Sequence, residues 1–361
     1  MHESELRQLL GAYVDPYLGL TLEQAGTLKT VQVSNGDAVV NVELGFPAGR
    51  YGTELAAELE RRARSLSWLK QLKVDVSWRV ASHSVQKNLK PIQGIRNIIA
   101  VASGKGGVGK STTAVNLALA LAHDGAAVGL LDADIYGPSQ PQMMGLSREK
   151  PTSTDDKTMF APEAYGIKVM SIGFLVDVEQ PMVWRGPMAT QALLQLLEAT
   201  RWGELDYLIV DMPPGTGDTQ LTLAQRAPVS GAVIVTTPQD IALLDARKGL
   251  RMFQKVAVPV LGVVENMSTH VCSNCGFEEH IFGSGGGKRM AEQYGVELLG
   301  ELPLDIRIRE QADGGRPTVV TEPQSKLGRA YIDFARRTAA RLVVAGLQPA
   351  AAFPNISVED T

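Results

Sequence analysis

A glycine-rich segment directly after an apolar stretch constrains the fold of this chain most. Residues 98–103 read IIAVAS and predict a buried strand, and residues 104–112 read GKGGVGKST and predict a turn into a helix. The pattern G-x-x-x-x-G-K-[ST] binds phosphates, because its glycines let backbone N–H groups turn inward and the helix adds its positive end. A glycine-rich turn without a ligand is the weaker interpretation, since both flanking elements are in place.

Each residue type in this loop has a chemical task. We expect the Lys110 ammonium to contact the β- and γ-phosphates of ATP and the Ser111 hydroxyl to bind Mg²⁺. The residues expected to surround the phosphates are Gly104, Lys105, Gly106, Gly107, Val108, Gly109, Lys110, Ser111 and Thr112.

Apolar segments of strand length alternate with helical segments from residue 97 onwards. The predicted strands are residues 97–103, 128–134, 167–172, 207–211, 232–237, 261–266 and 297–302. The predicted helices are residues 111–123, 188–200, 241–255, 288–294 and 324–345. Continuously apolar strands between helices are typical of an α/β fold with a mostly parallel, doubly wound sheet, in which ligands bind beyond the carboxyl ends of the strands.

A smaller α+β unit is predicted ahead of this sheet. Its elements are a helix at 5–13, strands at 28–33 and 38–44, a helix at 53–65 and a strand at 74–80. We therefore divide the chain into a small domain (1–82), a linker (83–96), a nucleotide-binding domain (97–345) and a flexible tail (346–361).

Composition excludes several classes of protein. Thirty-five Lys and Arg against 39 Asp and Glu give a net charge of −4, which offers no case for broad binding to nucleic acid or anionic membranes. No apolar run approaches the roughly 18 residues of a membrane span, and the N-terminus is acidic where a signal peptide is basic. With two cysteines a disulfide framework is excluded, so we expect a soluble, cytoplasmic protein.

Two carboxylates extend the predicted nucleotide site. Asp211 ends the apolar stretch LIVD, where a carboxylate can hold the magnesium shell, and Asp134 follows the apolar stretch that begins at Val128. Either carboxylate alone could cap a helix. Both at strand ends in one parallel sheet favour ATP hydrolysis.

The pair Cys272 and Cys275, followed by Gly276, predicts a knuckle that grips one edge of a metal centre. Two ligands do not complete a four-thiolate site, but a two-fold homodimer would supply four and could bridge a [4Fe–4S] cluster. Other interpretations stay open: a zinc site with His270 and His280, a redox dithiol, or two structural cysteines.

The second lysine of the loop, Lys105, makes the segment resemble the deviant Walker A group, which includes ParA and MinD partition ATPases, nitrogenase iron protein and arsenite-pump ATPases. The resemblance implies a homodimer in which Lys105 reaches the partner's nucleotide. It also implies that Asp134 orients the attacking water, that the Gly215 N–H senses the γ-phosphate and that Asn266 reads adenine.

Further stretches resemble the Mrp (ApbC-type) iron–sulfur cluster carrier ATPases of the P-loop NTPase class. They are DADIYGPS (132–139), WRGPM (184–188), DMPPGTGD (211–218), ENMS (265–268), IFGSGGG (281–287) and LPLD (302–305). Residues 1–82 resemble the small domain of iron–sulfur assembly factors, although some such domains carry a cysteine and these residues contain none.

This resemblance implies a homodimer that holds a [4Fe–4S] cluster on Cys272 and Cys275, receives it from a donor scaffold and passes it to apoproteins with ATP hydrolysis. The cysteine-free small domain is then expected to dock partners. The alternatives are a partition or positioning ATPase with a structural zinc knuckle and a reductase like nitrogenase iron protein. A partition or positioning ATPase does not use the cysteines for partitioning. Nitrogenase iron protein takes its cluster ligands from two separated cysteines per chain, whereas the two cysteines of this chain form one closely spaced pair.

Overall fold

The computed structural model describes residues 2–83, 86, 89–155, 157–176, 186–272 and 274–347. The N-terminal unit consists of α1 (His2–Gly11), β1 (Leu28–Ser34), β2 (Asp37–Leu44), α2 (Tyr51–Ala63) and β3 (Gln71–Trp78). β1 and β2 pair antiparallel, and β2 and β3 pair parallel. Alternate residues of β2 are buried, so this three-stranded sheet has one face on a core that includes residues of α1 and α2.

The larger unit begins at the first strand of a nine-stranded sheet. Its strands are β4 (Ile95–Ser103), β5 (Val128–Asp132), β6 (Glu163–Ala164), β7 (Ile167–Ser171), β8 (Leu205–Asp211), β9 (Gly231–Thr236), β10 (Val260–Val271), β11 (Glu278–Glu279) and β12 (Glu297–Leu304). Its helices are α3 (Lys110–His123), α4 (Gln140–Met143), α5 (Gly186–Ala199), α6 (Asp218–Arg226), α7 (Asp240–Lys255), α8 (Gly286–Tyr294), α9 (Ile306–Asp313), α10 (Thr318–Thr321) and α11 (Lys326–Leu347).

The strand order is β6-β7-β5-β8-β4-β9-β10-β12, and β11 pairs with the end of β10. Within the described strands of this nine-stranded sheet, only the β6–β7 and β10–β11 pairs are antiparallel. Every residue of β5, β8 and β9 is buried, because helices cover both faces of the sheet. The predicted α/β fold with a mostly parallel sheet and a small α+β unit ahead of it is therefore confirmed.

Several predicted boundaries are wrong, and two of them bear on function. β5 ends at Asp132, so Asp134 lies in the loop that follows the strand. This loop turns away because the Asp132 carboxylate accepts hydrogen bonds from the Asp134 and Gln140 N–H groups. β10 does not stop at Asn266 but continues to Val271 after a register shift.

The remaining corrections concern the ends of elements and segments without clear periodicity. Ile95 and Arg96, predicted in the linker, belong to β4, and residues 346 and 347 of the predicted tail belong to α11. The elements α4, α6, α9, α10, β6 and β11 were not predicted. Residues 184 and 185 of the WRGPM stretch and residues 348–361 of the tail lie outside the described residues.

A buried arginine joins the two units. The Arg336 guanidinium of α11 donates to both carboxylate oxygens of Asp124, at 2.6 and 3.0 Å, and to the Tyr17 hydroxyl at 3.2 Å. It also lies over the rings of Tyr17 and Tyr51, at 5.6 and 5.4 Å from their centroids. The Arg336–Asp124 pair lies within the larger unit, and the contacts of the same guanidinium with Tyr17 and Tyr51 hold the N-terminal unit against the end of α3.

None of the helices in the described part of the chain combines the length and apolarity that a bilayer span requires.

Candidate functional site

The phosphate loop connects β4 to α3 at the carboxyl edge of the sheet, and two of its glycines are required by close contacts. Gly109 has φ 82°, and a Cβ atom there would lie 2.1 Å from the Asn266 side-chain nitrogen. A Cβ atom on Gly104 would lie 2.1 Å from the backbone of Asp245 in α7. Other residue types therefore do not fit at these positions. Gly109 has a left-handed backbone conformation, and at both glycines nearby atoms of the same chain leave no room for a Cβ atom.

A cavity of about 230 Å³ opens on this loop. Seven of the nine loop residues predicted to surround the phosphates line it, namely Lys105, Gly106, Gly107, Gly109, Lys110, Ser111 and Thr112. Asp134, Ser139 and Pro214 also line it. Most of the predicted phosphate-binding residues, and the Asp134 predicted to orient the attacking water, therefore line one cavity, whereas Gly104 and Val108 are not among its lining residues.

Lys110 lies between two carboxylates at the base of this cavity. Its Nζ is 2.5 Å from Asp211 Oδ1 and 3.8 Å from Asp134 Oδ2, and it donates to Ser111 Oγ at 3.2 Å. Asp211 is fully buried at the end of β8, and Lys110 is 6% exposed. The Lys110 ammonium thus contacts the Ser111 hydroxyl and the two carboxylates, which are the groups predicted to bind a phosphate and its Mg²⁺ ion.

Sequence reasoning missed Gln140, which connects these groups. Its side-chain Nε2 donates to the Ser111 carbonyl at 3.1 Å and to Asp211 Oδ2 at 2.9 Å. Its backbone N–H donates to Asp132 Oδ2 at 3.1 Å. Gln140 thereby fixes Ser111 relative to Asp211. No sequence signal indicates this role, because the short helix α4 that carries Gln140 has no periodic pattern.

Asp132 is the second residue that the sequence did not single out. It is fully buried, and its carboxylate also accepts a hydrogen bond from Ser171 Oγ at 3.1 Å. Burial, and then the nearby charge of Asp211, raises the pKa of Asp132 to about 7. Burial also raises the pKa of Asp134, although Lys110 opposes this shift. The base of the cavity is thus a low-dielectric site in which the Lys110 charge offsets several carboxyl groups.

Gly215 and Asn266 contact the phosphate loop region but are not among the residues that line the cavity. The Gly215 N–H donates to the Ser103 carbonyl at 3.0 Å, and Asn266 Nδ2 donates to the Val108 carbonyl at 2.9 Å. The Gly215 N–H thus has a protein partner, which the predicted contact with the γ-phosphate has to replace, whereas the Asn266 amide has a second N–H and a carbonyl oxygen that the Val108 contact does not use.

The cysteine pair lies in the hairpin that joins β10 to β11. The Cys272 N–H donates to the Phe277 carbonyl and the Gly276 N–H to the Cys272 carbonyl, both at 2.9 Å. Gly276 has φ 71°, the left-handed conformation that the predicted tight turn requires. Cys272 is half-buried and Cys275 is exposed, so both thiols are accessible at the tip of the hairpin.

The turn favours the thiolate form of Cys272. Hydrogen bonds from the backbone N–H groups of Cys275 and Asn274, together with the Cys275 side chain, lower the pKa of the Cys272 thiol. Because the thiolate is the form that binds metal, this local geometry suits a metal-binding knuckle.

The neighbouring histidines do not complete a site within one chain. His270 Nδ1 is 3.1 Å from the Leu304 carbonyl, and His280 Nδ1 is 2.7 Å from the Ser268 carbonyl. Among the residues that the structure describes, no group of three or more His, Cys, Asp or Glu side chains is placed to hold a metal ion. The geometry therefore gives the single-chain zinc interpretation no support.

Two family models match this chain, one for each of its two structural units. The family model described as NUBPL iron-transfer P-loop NTPase matches residues 94–339, and the model described as iron-sulfur cluster assembly protein matches residues 3–76. An iron-sulfur cluster carrier protein from Pseudomonas fragi is 58% identical over 77% of this chain and 97% of its own length. One from Haemophilus influenzae is 48% identical over 94% of this chain and 92% of its own length.

A similar protein of known structure was solved with a bound nucleotide. The nucleotide-binding protein from Archaeoglobus fulgidus, in complex with ADP, is 40% identical and superposes with a TM-score of 0.57. The match covers 65% of this chain and 91% of that protein.

Proposed function

Since this chain belongs to the NUBPL iron-transfer P-loop NTPase family, we propose that it is an ATP-hydrolysing carrier that holds a [4Fe–4S] cluster between two copies and transfers it to apoproteins. The observation that carries the proposal is the accessible thiol pair, Cys272 and Cys275, at the end of the strand whose Asn266 contacts the phosphate loop. One chain thereby combines a nucleotide cavity with half of a four-thiolate site.

At the nucleotide end, Lys110 binds the β- and γ-phosphates, and Ser111 and Asp211 hold Mg²⁺ with the hard oxygen ligands that this ion prefers. These residues fit the ion, because the Asp211 carboxylate and the Ser111 hydroxyl are both within hydrogen-bond distance of Lys110 Nζ and would hold Mg²⁺ together. When bound, Mg²⁺ neutralises charge on the β- and γ-phosphate oxygens. A nucleotide thus gives Lys110 a phosphate in place of Asp211.

We assign to Asp134, which lines the cavity 3.8 Å from Lys110 Nζ, the orientation of the water that attacks the γ-phosphorus. As the new P–O bond forms, the bond from that phosphorus to the β–γ bridging oxygen breaks and ADP is released; one proton of the water stays on the phosphate and the other passes to solvent. Lys105 lines the same cavity, and we assign it the contact with the partner copy's nucleotide.

At the cysteine pair, the iron–sulfur cluster is the cargo that the protein carries. Two copies facing each other across a two-fold axis supply four thiolates, two from each chain. Val271, Phe277 and Ile281 flank the knuckle with 41%, 65% and 51% of their surfaces exposed. A second copy covers these apolar side chains as it completes the thiolate set. Since neither copy holds the cluster alone, separation of the copies releases it.

We assign partner docking to the N-terminal unit, because the sequence of that unit contains no cysteine that could bind the cluster. Its partners are then a donor scaffold and the recipient apoproteins, in a cytoplasm that keeps thiols reduced. The partition or positioning ATPase is the weaker candidate, because the matching family model and the named relatives concern iron transfer and iron–sulfur clusters.

The test is a transfer experiment with the cluster-loaded full chain, under anaerobic conditions, and an apo-ferredoxin of the [4Fe–4S] type. We expect the ferredoxin spectrum to appear at the expense of the carrier's absorbance, in the presence of a chelator that captures free iron. Cluster loss to the chelator alone, with no ferredoxin formed, contradicts the carrier function.

A further inference from the structure

Two large apolar side chains are exposed on the first two turns of α7. Ile241 is 71% exposed and Leu244 is 54% exposed. They are three residues apart in a helix, so they share one face, which we call the α7 face. Further along the helix the same exposed stripe carries Lys248, Arg251 and Lys255, the residue types that suit water. The apolar beginning of this stripe is therefore the exception.

The first turns of α7 contact both functional ends of the chain. At one end, the Asp245 backbone leaves no room for a Cβ atom on Gly104, the residue directly before Lys105. At the other end, a Cβ atom on Gly286 would lie 2.5 Å from Leu243 Cδ1. Gly286 is the first residue of α8, the helix that follows the cysteine hairpin in the chain. The beginning of α7 thus lies between the phosphate loop and the segment that returns from the cysteine pair.

The apolar side chains around the cysteine pair are too few to hold two copies together. A stable interface buries about 800 Å² on each partner. Val271, Phe277 and Ile281 are only partly exposed, and even an aromatic side chain buries at most about 250 Å². Two copies joined at the cysteine pair therefore have to bury further surface, and the α7 face offers exposed apolar side chains for it.

We propose that the α7 face is buried against a second copy of this chain, as a continuation of the interface around the cysteine pair. The inference rests on the proposed function, which assigns two contacts to the second copy: completion of the four-thiolate site and the nucleotide that Lys105 reaches. The segments that make these contacts lie on either side of the first turns of α7. A copy that makes both contacts covers Ile241 and Leu244 between them, and removal of these side chains from water stabilises the pair.

The experiment measures mass in solution and iron content of the full chain after anaerobic reconstitution with iron and sulfide. Ile241→Glu and Leu244→Glu each place a carboxylate on the α7 face. Both positions are exposed and glutamate suits the beginning of a helix, so we expect both variants to fold, which circular dichroism checks. Disruption of a buried interface residue predicts a dissociation constant of the dimer that is higher by about 30-fold or more. We therefore expect the mass of one chain and loss of most of the iron.

Leu347→Glu is the matched control. Leu347 is also a leucine on a helix and is 50% exposed, but it lies at the end of α11. The residue before it, Gly346, lies beside His83, since a Cβ atom on Gly346 would be 2.7 Å from His83 Cδ2. We expect this variant to form the dimer and to take up iron as the wild type does.

Three results overturn the role of the α7 face and leave the carrier function standing. The first is a folded pair of α7 variants that keep the mass of two chains, the wild-type iron content and cluster transfer. The second is the same mass and iron content with transfer to apo-ferredoxin lost, because the face then binds the recipient. The third is an equal loss of dimer in Leu347→Glu. Absence of iron uptake by the wild-type chain instead contradicts the proposed function itself.

Discussion

Replacement of Lys110 with Ala is expected to reduce ATP hydrolysis by at least about 10²-fold, the usual effect of removing one group that stabilises transition-state charge. The structure gives the reason. Lys110 Nζ is the cation at the base of the cavity, in contact with Asp211, Asp134 and Ser111. Without it, the γ-phosphate faces carboxylates that repel it. The measurement is phosphate release by the full chain at saturating ATP and Mg²⁺.

Two further variants make this result interpretable. Lys110→Arg keeps the positive charge beside Asp211 but not the compact ammonium, so we expect it to fold normally and to hydrolyse ATP poorly. Lys73→Ala removes an exposed lysine that pairs with Asp75 in the N-terminal unit and is expected to leave hydrolysis unchanged. Normal hydrolysis by a folded Lys110→Ala protein would rule out the assignment of the phosphate loop.

Cys275→Ala is expected to take up no [4Fe–4S] cluster while it hydrolyses ATP at the wild-type rate. Removal of one thiol from each chain leaves two ligands for a cluster that needs four. The nucleotide cavity is expected to be unaffected, because neither cysteine is among the residues that line it. The measurements are iron content and visible absorbance after anaerobic reconstitution, together with phosphate release.

His280→Ala is the matched control for the cysteine variant, because His280 lies beside the knuckle and is a potential zinc ligand. On our account it binds the cluster normally, whereas a Cys₂His₂ zinc site loses its metal. Parallel loss of metal and hydrolysis in Cys275→Ala would instead indicate that the knuckle stabilises the fold.

The phosphate loop and the central strands could be predicted because their signals are local. Residues 98–102 are apolar without interruption, and in the structure β4 lies between β8 and β9 with helices on both faces. The glycines of the loop indicate, in the sequence itself, where the backbone adopts a positive φ or approaches a neighbouring segment closely. For Gly109 this requirement is real, since φ is positive and Asn266 leaves no room for a Cβ atom.

Features that depend on tertiary contacts could not be predicted. Residues 267–271 are mixed in polarity, but they continue β10 because β12 and β11 supply pairing partners, including Leu304 and Glu279 for His270. Gln140 shows no signal because its role depends on Ser111 and Asp211 being brought together by the fold.

The measurement that tests the central claim most directly is anaerobic reconstitution of the wild-type chain with iron and sulfide, followed by iron and zinc analysis and determination of mass in solution. The account predicts about four iron atoms per dimer, a mass of two chains and negligible zinc. One zinc ion per chain, with no iron uptake, would contradict it and make the cysteine pair a structural knuckle.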